Sequence, residues 1–228
     1  MPTTINFMHF TPLESVAVLM SGGLDSAILL GEALRTSAKV FPIYVRCGLH
    51  WEGAELRHAR RYLAALEQPA LQSQIILDVP VADLDANHWS VTGRNVPGAD
   101  TPDEAVFIPG RNVLLLTKAM LWCHLHGVST VALGVLSSNP FPDATPGFFA
   151  ACEKLINRAV GGSVQIKAPF ARMHKTDVMH LGRELPLQHS FSCINPSDDR
   201  HCGLCNKCQE RRKAFRDADM IDRSAYAN

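Results

Sequence analysis

The stretch Val16–Ser26 reads VAVLMSGGLDS and runs on as AILLGEALR. Apolar residues lead into Ser-Gly-Gly-Leu-Asp-Ser, and apolar residues then recur with helical spacing. That order predicts a buried strand, a tight glycine turn and a helix. Gly22 and Gly23 admit positive φ and let a ligand approach the backbone. Ser21 and Ser26 add hydroxyls, and the helix beginning at Leu24 offers unpaired N–H groups and a partial positive charge. Together they predict an anion cradle with phosphate as its guest. No lysine follows Gly23, so this is not the Gly-Lys-Ser/Thr P-loop. Asp25 beside phosphates makes sense with Mg²⁺ between them. An ordinary strand–turn–helix corner is the plain alternative.

Working outward, the alternation of strands and helices continues. Residues 1–13 read as a lead-in to the first strand. Lys39–Arg46 is a second strand, with Pro42 suggesting an edge or an irregularity. Glu52–Glu67 is an amphipathic helix with Leu56, Ala59, Leu63 and Leu66 on one face and Arg57, Arg60 and Arg61 off it. Those arginines suit a solvated face or a phosphate contact. Gln74–Val79 is a third strand. Residues 80–107 hold Pro80, Gly93, Pro97, Gly98 and Pro102 and little pattern, which suits a lid or substrate loop. Phe107–Asn112, FIPGRN, leads into VLLLTKAMLWCHLH, apolar on nearly every side and so expected to be buried. Thr130–Val135 and Ser163–Lys167 are further strands; residues 147–160 and 174–185 are helices. The expected fold is a doubly wound, mostly parallel, five-stranded α/β sheet over residues 14–186, with a C-terminal segment, 187–228, on the same body. Ligands of such sheets sit beyond the strands' carboxyl ends, where the glycine loop, FIPGRN and the 136–146 loop should meet.

The 228 residues are 46% hydrophobic, and 22 basic residues balance 22 acidic ones. That suits a globular protein with a full core, and its neutrality does not point to a nucleic-acid partner. No apolar run reaches membrane-spanning length and the leader lacks a signal-peptide pattern, so a cytoplasmic, reducing setting is expected for the seven cysteines. Four of these, Cys193, Cys202, Cys205 and Cys208, form C-x8-C-x2-C-x2-C. Four thiolates at this spacing suit a closed tetrahedral zinc site, structural because no position stays open for water. An iron–sulfur cluster and a redox pair are the rival readings. Cys47, Cys123 and Cys152 read as core thiols. Arg211, Arg212 and Lys213 follow the cluster, as a nucleic-acid contact or as a solvated helix end favoured by the dipole.

The loop Ser21–Ser26 resembles the SGGxDS loop of the ATP pyrophosphatases, which cleave ATP to AMP and pyrophosphate. By that resemblance Ser21, Gly22, Gly23, Leu24, Asp25 and Ser26 hold the pyrophosphate end of ATP. FIPGRN and the tail SCINP…HCGLCNKCQERRKAF narrow it further: the sequence is similar to the 7-cyano-7-deazaguanine synthase family over about residues 15–225. LGV…PD at 133–143 and HKTDVMHLGRELP at 174–186 fit in the same order. The resemblance implies ATP-dependent conversion of a carboxylated deazapurine and ammonia to the nitrile, through an acyl adenylate and an amide, by a homodimer. It assigns Arg111 to phosphate or carboxylate contact, Asn112 to a nearby hydrogen bond and Lys175 to phosphate. The sequence departs from the family at LSSNPF (136–141), which lacks the usual aspartate and glycine. It departs again after the second strand, at VRCGLHWEGAELRHARR, where His50 is the one match. A related enzyme adenylating another acceptor, a small acid, a peptide or tRNA, is the alternative.

Overall fold

The computed structural model describes Phe10 and residues 14–228; the rest of the lead-in lies outside the described residues. Strands β1 (Ser15–Leu19), β2 (Lys39–Arg46), β3 (Ile75–Asp78), β4 (Thr130–Ala132) and β5 (Gln165–Lys167) form one sheet in the order β3-β2-β1-β4-β5. Every pair is parallel. The helices are α1 (Leu24–Thr36), α2 (Glu52–Ala64), the single turn α3 (Trp89–Thr92), α4 (Arg111–His126), α5 (Pro146–Val160), α6 (Lys175–Leu181) and α7 (Asn206–Asp217).

Alternation along β1 divides the core. Val16 and Val18 face one layer with Ile28, Leu29, Val178, Met179 and Phe215, which brings α1, α6 and α7 together. Ala17 faces the other layer with Leu116, Met120, Phe149 and Ile156 of α4 and α5. A sheet buried on both faces needs strands that are apolar throughout, as β1 is. The strand order reverses direction between β1 and β4, so the crevice at their carboxyl ends is where a ligand belongs.

Pro42 marks no edge: β2 lies inside the sheet, paired on both sides. Ile43 turns its carbonyl to Met20 of the β1 side, and Val40 bonds Ala70 and Gln72 on the other. Pro42, two residues from Val40, therefore aims its nitrogen at the β3 side. There the ladder starts only at Ile43 opposite Ile75, so the missing N–H interrupts nothing.

The apolar helix α4 is not buried all round. Leu116, Ala119, Met120 and Cys123 form the inward stripe, while Val113 is 41% and Leu125 77% exposed. The helix lies between the sheet and α5, and only one face meets them; a sequence apolar on nearly every side hides which stripe that is. On α2 the inward face is Trp51, Ala54, Glu55, His58, Ala59 and Tyr62, with Leu56 and Leu63 half-buried. Arg57 and Arg61 converge on Asp199 at 2.7 and 2.5 Å, fastening α2 to the cysteine segment.

The 80–107 stretch is no free flap. His50 N–H donates to Ser90 O at 2.8 Å, Asn206 N–H donates to Pro97 O at 3.0 Å, and Asn206 Nδ2 donates to Thr101 O at 2.8 Å. Gly98 also bridges Cys205.

Candidate active site and metal centre

A cavity of about 300 Å³ opens at the carboxyl ends of β1, β2 and β4. Its floor is the glycine loop. Gly22 has φ of 81°, a conformation open mainly to glycine. A Cβ there would also lie 3.1 Å from Glu55 Cγ. Gly23 has extended backbone instead, and an added Cβ would meet protein no nearer than 3.6 Å. Its bareness leaves the loop surface open to a ligand. Gly23 begins α1 with no side-chain cap, so the first-turn N–H groups keep their donors for an anion. Ser26 Oγ donates to Gly23 O at 3.1 Å and lies 3.3 Å from Ser21 Oγ, which holds the turn closed. Leu24 itself is core, 3% exposed; only its backbone can serve a ligand.

Charged groups line the wall beside the loop. Lys175, at the start of α6, donates to both oxygens of Asp25 at 2.9 and 2.8 Å and to Glu210 at 3.3 Å. Lys207 meets Glu210 at 2.6 Å. Burial works against the Lys175 charge, yet Asp25 and Glu210 hold its pKa above the ordinary value. Burial raises Glu210 too, but Lys175 and Lys207 outweigh it and bring it down to about 2. Lys175 and Glu210 therefore both carry charge at neutral pH.

Gly134, after β4, closes on this cluster. A Cβ there would lie 3.0 Å from the carbonyl carbon and oxygen of Asp25. Backbone cannot swing aside as a side-chain tip can, so Gly134→Ala is expected to displace Asp25. The substitution should lower stability by about 1–3 kcal/mol, as overpacking does, and depress turnover more than stability alone explains. Chemical denaturation and steady-state rates measured together check this.

Across the cavity stand Arg111 and Asn112 at the start of α4, after Gly110 in the left-handed conformation. Asn112 is braced against Asp143: its N–H donates to Asp143 Oδ2 at 3.1 Å and its Nδ2 to Asp143 O at 3.0 Å. The Arg111 guanidinium joins no ion pair among the described residues, and its Nε is buried without a partner. On the β2 side Tyr44 donates to Glu55 Oε2. Glu52 beside it accepts from Cys47 N–H at 2.6 Å and Gly48 N–H at 3.0 Å. Burial pushes the Glu55 carboxyl up to about 8, against the pull of Arg111 and Tyr44. His50, the one family match after β2, does not line the cavity.

The loop, Asp25, Arg111, Asn112 and Lys175 thus share one cavity. Sequence reasoning missed Tyr44, Glu55, Lys207 and Glu210. Glu55 carried a signal: it lies on the helical face of Trp51, Ala59 and Tyr62, where an acid is out of place. Lys207 and Glu210 stand three apart on α7 and face the cavity together.

The same helix corrects the reading of Arg211. It is 1% exposed, neither a nucleic-acid contact nor a solvated end. Its guanidinium donates to Asp222 at 3.0 Å, Ser190 Oγ at 2.9 Å, Leu187 O at 3.0 Å and Ser224 Oγ at 2.7 Å. A buried charge so fully bonded is a fastening. Arg212 lies over the Tyr226 ring at 4.4 Å, and Lys213 pairs with Asp217.

Cys193, Cys202, Cys205 and Cys208 bring their sulfurs within 4.8 Å of one another, all buried. Cys193–Cys205 and Cys202–Cys208 are 3.9 Å apart. A tetrahedral ion with bonds of about 2.3 Å sets its sulfurs about 3.8 Å apart. Backbone N–H groups of Asn195 and Cys202 point at Cys193 Sγ, both at 3.3 Å, and those of Leu204 and Cys205 at Cys202 Sγ, at 3.4 and 3.3 Å. Donors aimed at sulfur favour thiolates, and thiolates this close need a cation. The four residues fit a metal ion.

Fold, loop and cysteine centre define an α/β protein built around an SGGxDS loop, with a four-cysteine site that fits a metal ion. The family model described as Queuosine biosynthesis protein QueC matches residues 15–219, and the protein belongs to that family. The 7-cyano-7-deazaguanine synthase of Syntrophobacter fumaroxidans is 30% identical, covering 93% of this chain and 96% of that one. Those of Solidesulfovibrio magneticus and Azoarcus sp. are each 29% identical, covering 93% and 95% of this chain and 96% and 98% of theirs. Among solved structures, a 4-thiouridine synthetase in complex with RNA and ATP covers 90% of this chain and 50% of its own, at 15% identity and a TM-score of 0.46.

Proposed function

We propose that this protein converts 7-carboxy-7-deazaguanine and ammonia to 7-cyano-7-deazaguanine at the expense of ATP. The observation that carries the reading is the cavity itself. It sets an uncapped helix end and a bare glycine loop opposite an arginine free of any ion pair among the described residues, with room for a small acid between. In the first step the acid's carboxylate oxygen attacks the α-phosphorus, an acyl adenylate forms and pyrophosphate leaves. Ammonia then displaces AMP and loses a proton, giving the amide. The amide oxygen then attacks the α-phosphorus of a second ATP, releasing pyrophosphate, and loss of AMP and protons leaves the nitrile.

The protein's share is positioning and charge neutralisation. Ser21–Ser26 and the α1 N–H groups cradle the pyrophosphate. Lys175 and Lys207 stand beside it. Asp25 would hold Mg²⁺, whose charge would offset the leaving group. Arg111, which no carboxylate of the described residues engages, takes the acceptor carboxylate in its fork. The four cysteines hold a structural Zn²⁺: their spacing suits one ion and leaves no open coordination position. A homodimer in the cytoplasm, taking its ammonia from solution, belongs to the same proposal.

The test is turnover of ATP with ammonia and 7-carboxy-7-deazaguanine, with mass spectrometry of the base. Nitrile with two AMP per base is the expected result; no AMP above background overturns it. Arg111→Lys is expected to raise the acceptor KM about tenfold or more, since a point charge cannot reproduce a bidentate fork, and to leave the ATP KM within about threefold. Substrate-saturation curves check both.

A second reading keeps adenylation and changes the acceptor. It is favoured by a further cavity of about 280 Å³ beyond Arg111, apolar with Leu49, Val81, Val91, Ile108 and Leu114 on its walls. AMP release with another acid or amide, and none with the deazapurine, would establish it.

A further inference from the structure

Glu55 is the one acid on the main cavity wall that no lysine holds among the described residues. Asp25 and Glu210 are paired with Lys175, and Glu210 also with Lys207. Glu52, off the wall, gives both oxygens to backbone N–H groups. Glu55 gives Oε2 to Tyr44, while Oε1 accepts no hydrogen bond among the described residues. Its residue is 6% exposed, and it lines the cavity beside Tyr44, Trp51 and Arg111. No ion pair within 4 Å joins it to Arg111 among the described residues. The cavity therefore holds a carboxyl with one oxygen unengaged and a donor-only guanidinium whose Nε has no partner among the described residues. ATP and a carboxylate bring almost nothing but acceptors to the shared wall. A group with N–H donors needs Glu55.

We propose that Glu55 reads the N–H edge of the acceptor base, its carboxylate receiving ring and exocyclic N–H donors while Arg111 receives the base's carboxylate. The acceptor is then a planar heterocycle with adjacent N–H donors at one end and an anion at the other, as in a 2-amino-4-oxo-pyrimidine fused ring. The inference rests on the deazapurine reading above and deepens it. Tyr44, held by burial and by Glu55 well above its ordinary pKa, stays a donor and fixes the carboxyl. The groups facing Glu55 are Tyr44 of β2, Glu52 of α2 and Arg111 of α4. In the free protein burial keeps most of Glu55 protonated at pH 7. Two N–H donors stabilise the ionised form, so the base should bind with release of a proton.

The experiment is titration calorimetry in buffers of different ionisation enthalpy, with 7-carboxy-7-deazaguanine and with its 2-deamino analogue, on the wild-type protein and on Glu55→Gln and Glu55→Met. Glutamine keeps the size and the Tyr44 bond but cannot ionise. Methionine keeps the size and removes the polarity, so a folded, zinc-loaded Met variant shows that the fold does not need the acid. In the wild type, removal of the 2-amino group is expected to weaken binding at least about tenfold, and the parent base to release close to one proton at pH 7. In both variants the amino-group discrimination should fall to within about threefold and the proton release should vanish, with ATP affinity unchanged. Binding of the parent base with no discrimination, or discrimination that survives in Glu55→Gln, overturns the role of Glu55 and leaves the deazapurine reading standing. No binding of the parent base by the wild type overturns that reading, and this inference with it.

Discussion

Replacing Cys205 with serine is expected to give protein with well under one equivalent of zinc, an unfolding midpoint lower by about 6–12 °C, and no measurable turnover. Cys205 supplies a sulfur 3.9 Å from that of Cys193 and begins α7, with Cys208 one turn on. A structural zinc site contributes on the order of 10–16 kcal/mol of apparent binding energy. A domain's whole stability is about 5–15 kcal/mol. Losing even about 3 kcal/mol of the metal's share shifts the midpoint by the stated amount in a protein of this size. Activity should go further than stability, because Lys207 and Glu210 reach the cavity from the same helix turns. Metal analysis, thermal denaturation and AMP release on one preparation check it. Full zinc occupancy with an unmoved midpoint would remove Cys205 from the ligand set.

Asp25→Asn is expected to lower kcat by about 10²–10³-fold while the protein still folds. The amide keeps the shape and removes the charge. Asp25 is proposed to hold the Mg²⁺ whose charge would offset the leaving pyrophosphate, and losing electrostatic stabilisation at such a point costs about 3–4 kcal/mol. Lys175 keeps Glu210 at 3.3 Å, so no buried cation is left alone. The packing against Gly134 involves the backbone of Asp25 and its Cβ, which asparagine preserves. Single-turnover rates at saturating ATP, with circular dichroism of the same sample, test the claim. A variant that unfolds would make Asp25 structural, and one that retains its rate would remove it from phosphate handling.

The parts of this fold that could be read from sequence are those where one pattern has one solution. VAVLMSGGLDS reads as a buried strand, a turn and a helix start, and the start of α1 and both ends of β2 follow residue for residue. The cysteine spacing likewise admits few geometries. The shorter strands were less legible. β4 ends at Ala132 and not Val135, because Gly134 must pass close to Asp25 and leaves the ladder. β5 begins at Gln165, since Asn157 takes both backbone groups of Val164 just before it. Surface and interior could not be told apart for Arg211, whose partners Ser190, Asp222 and Ser224 come from two other segments. Nor could they for α4, where nearly every face is apolar. Glu55 was passed over because a helix with a polar side is ordinarily read by its leucines. Here the informative residue was the acid among them.

The clamp between residues 97–101 and the cysteine segment also sets an order of events in time. Asn206 and Thr101 are 105 residues apart in sequence. Contacts so distant are closed late, after the local β1–α1–β2 unit has formed. A polypeptide emerging from the ribosome would carry a finished phosphate cradle well before residues 202–208 appear. Residues 97–101 would then lack their partner Asn206. Closure of the cysteine segment onto residues 97–101 is then expected to be a late latch of the folding reaction.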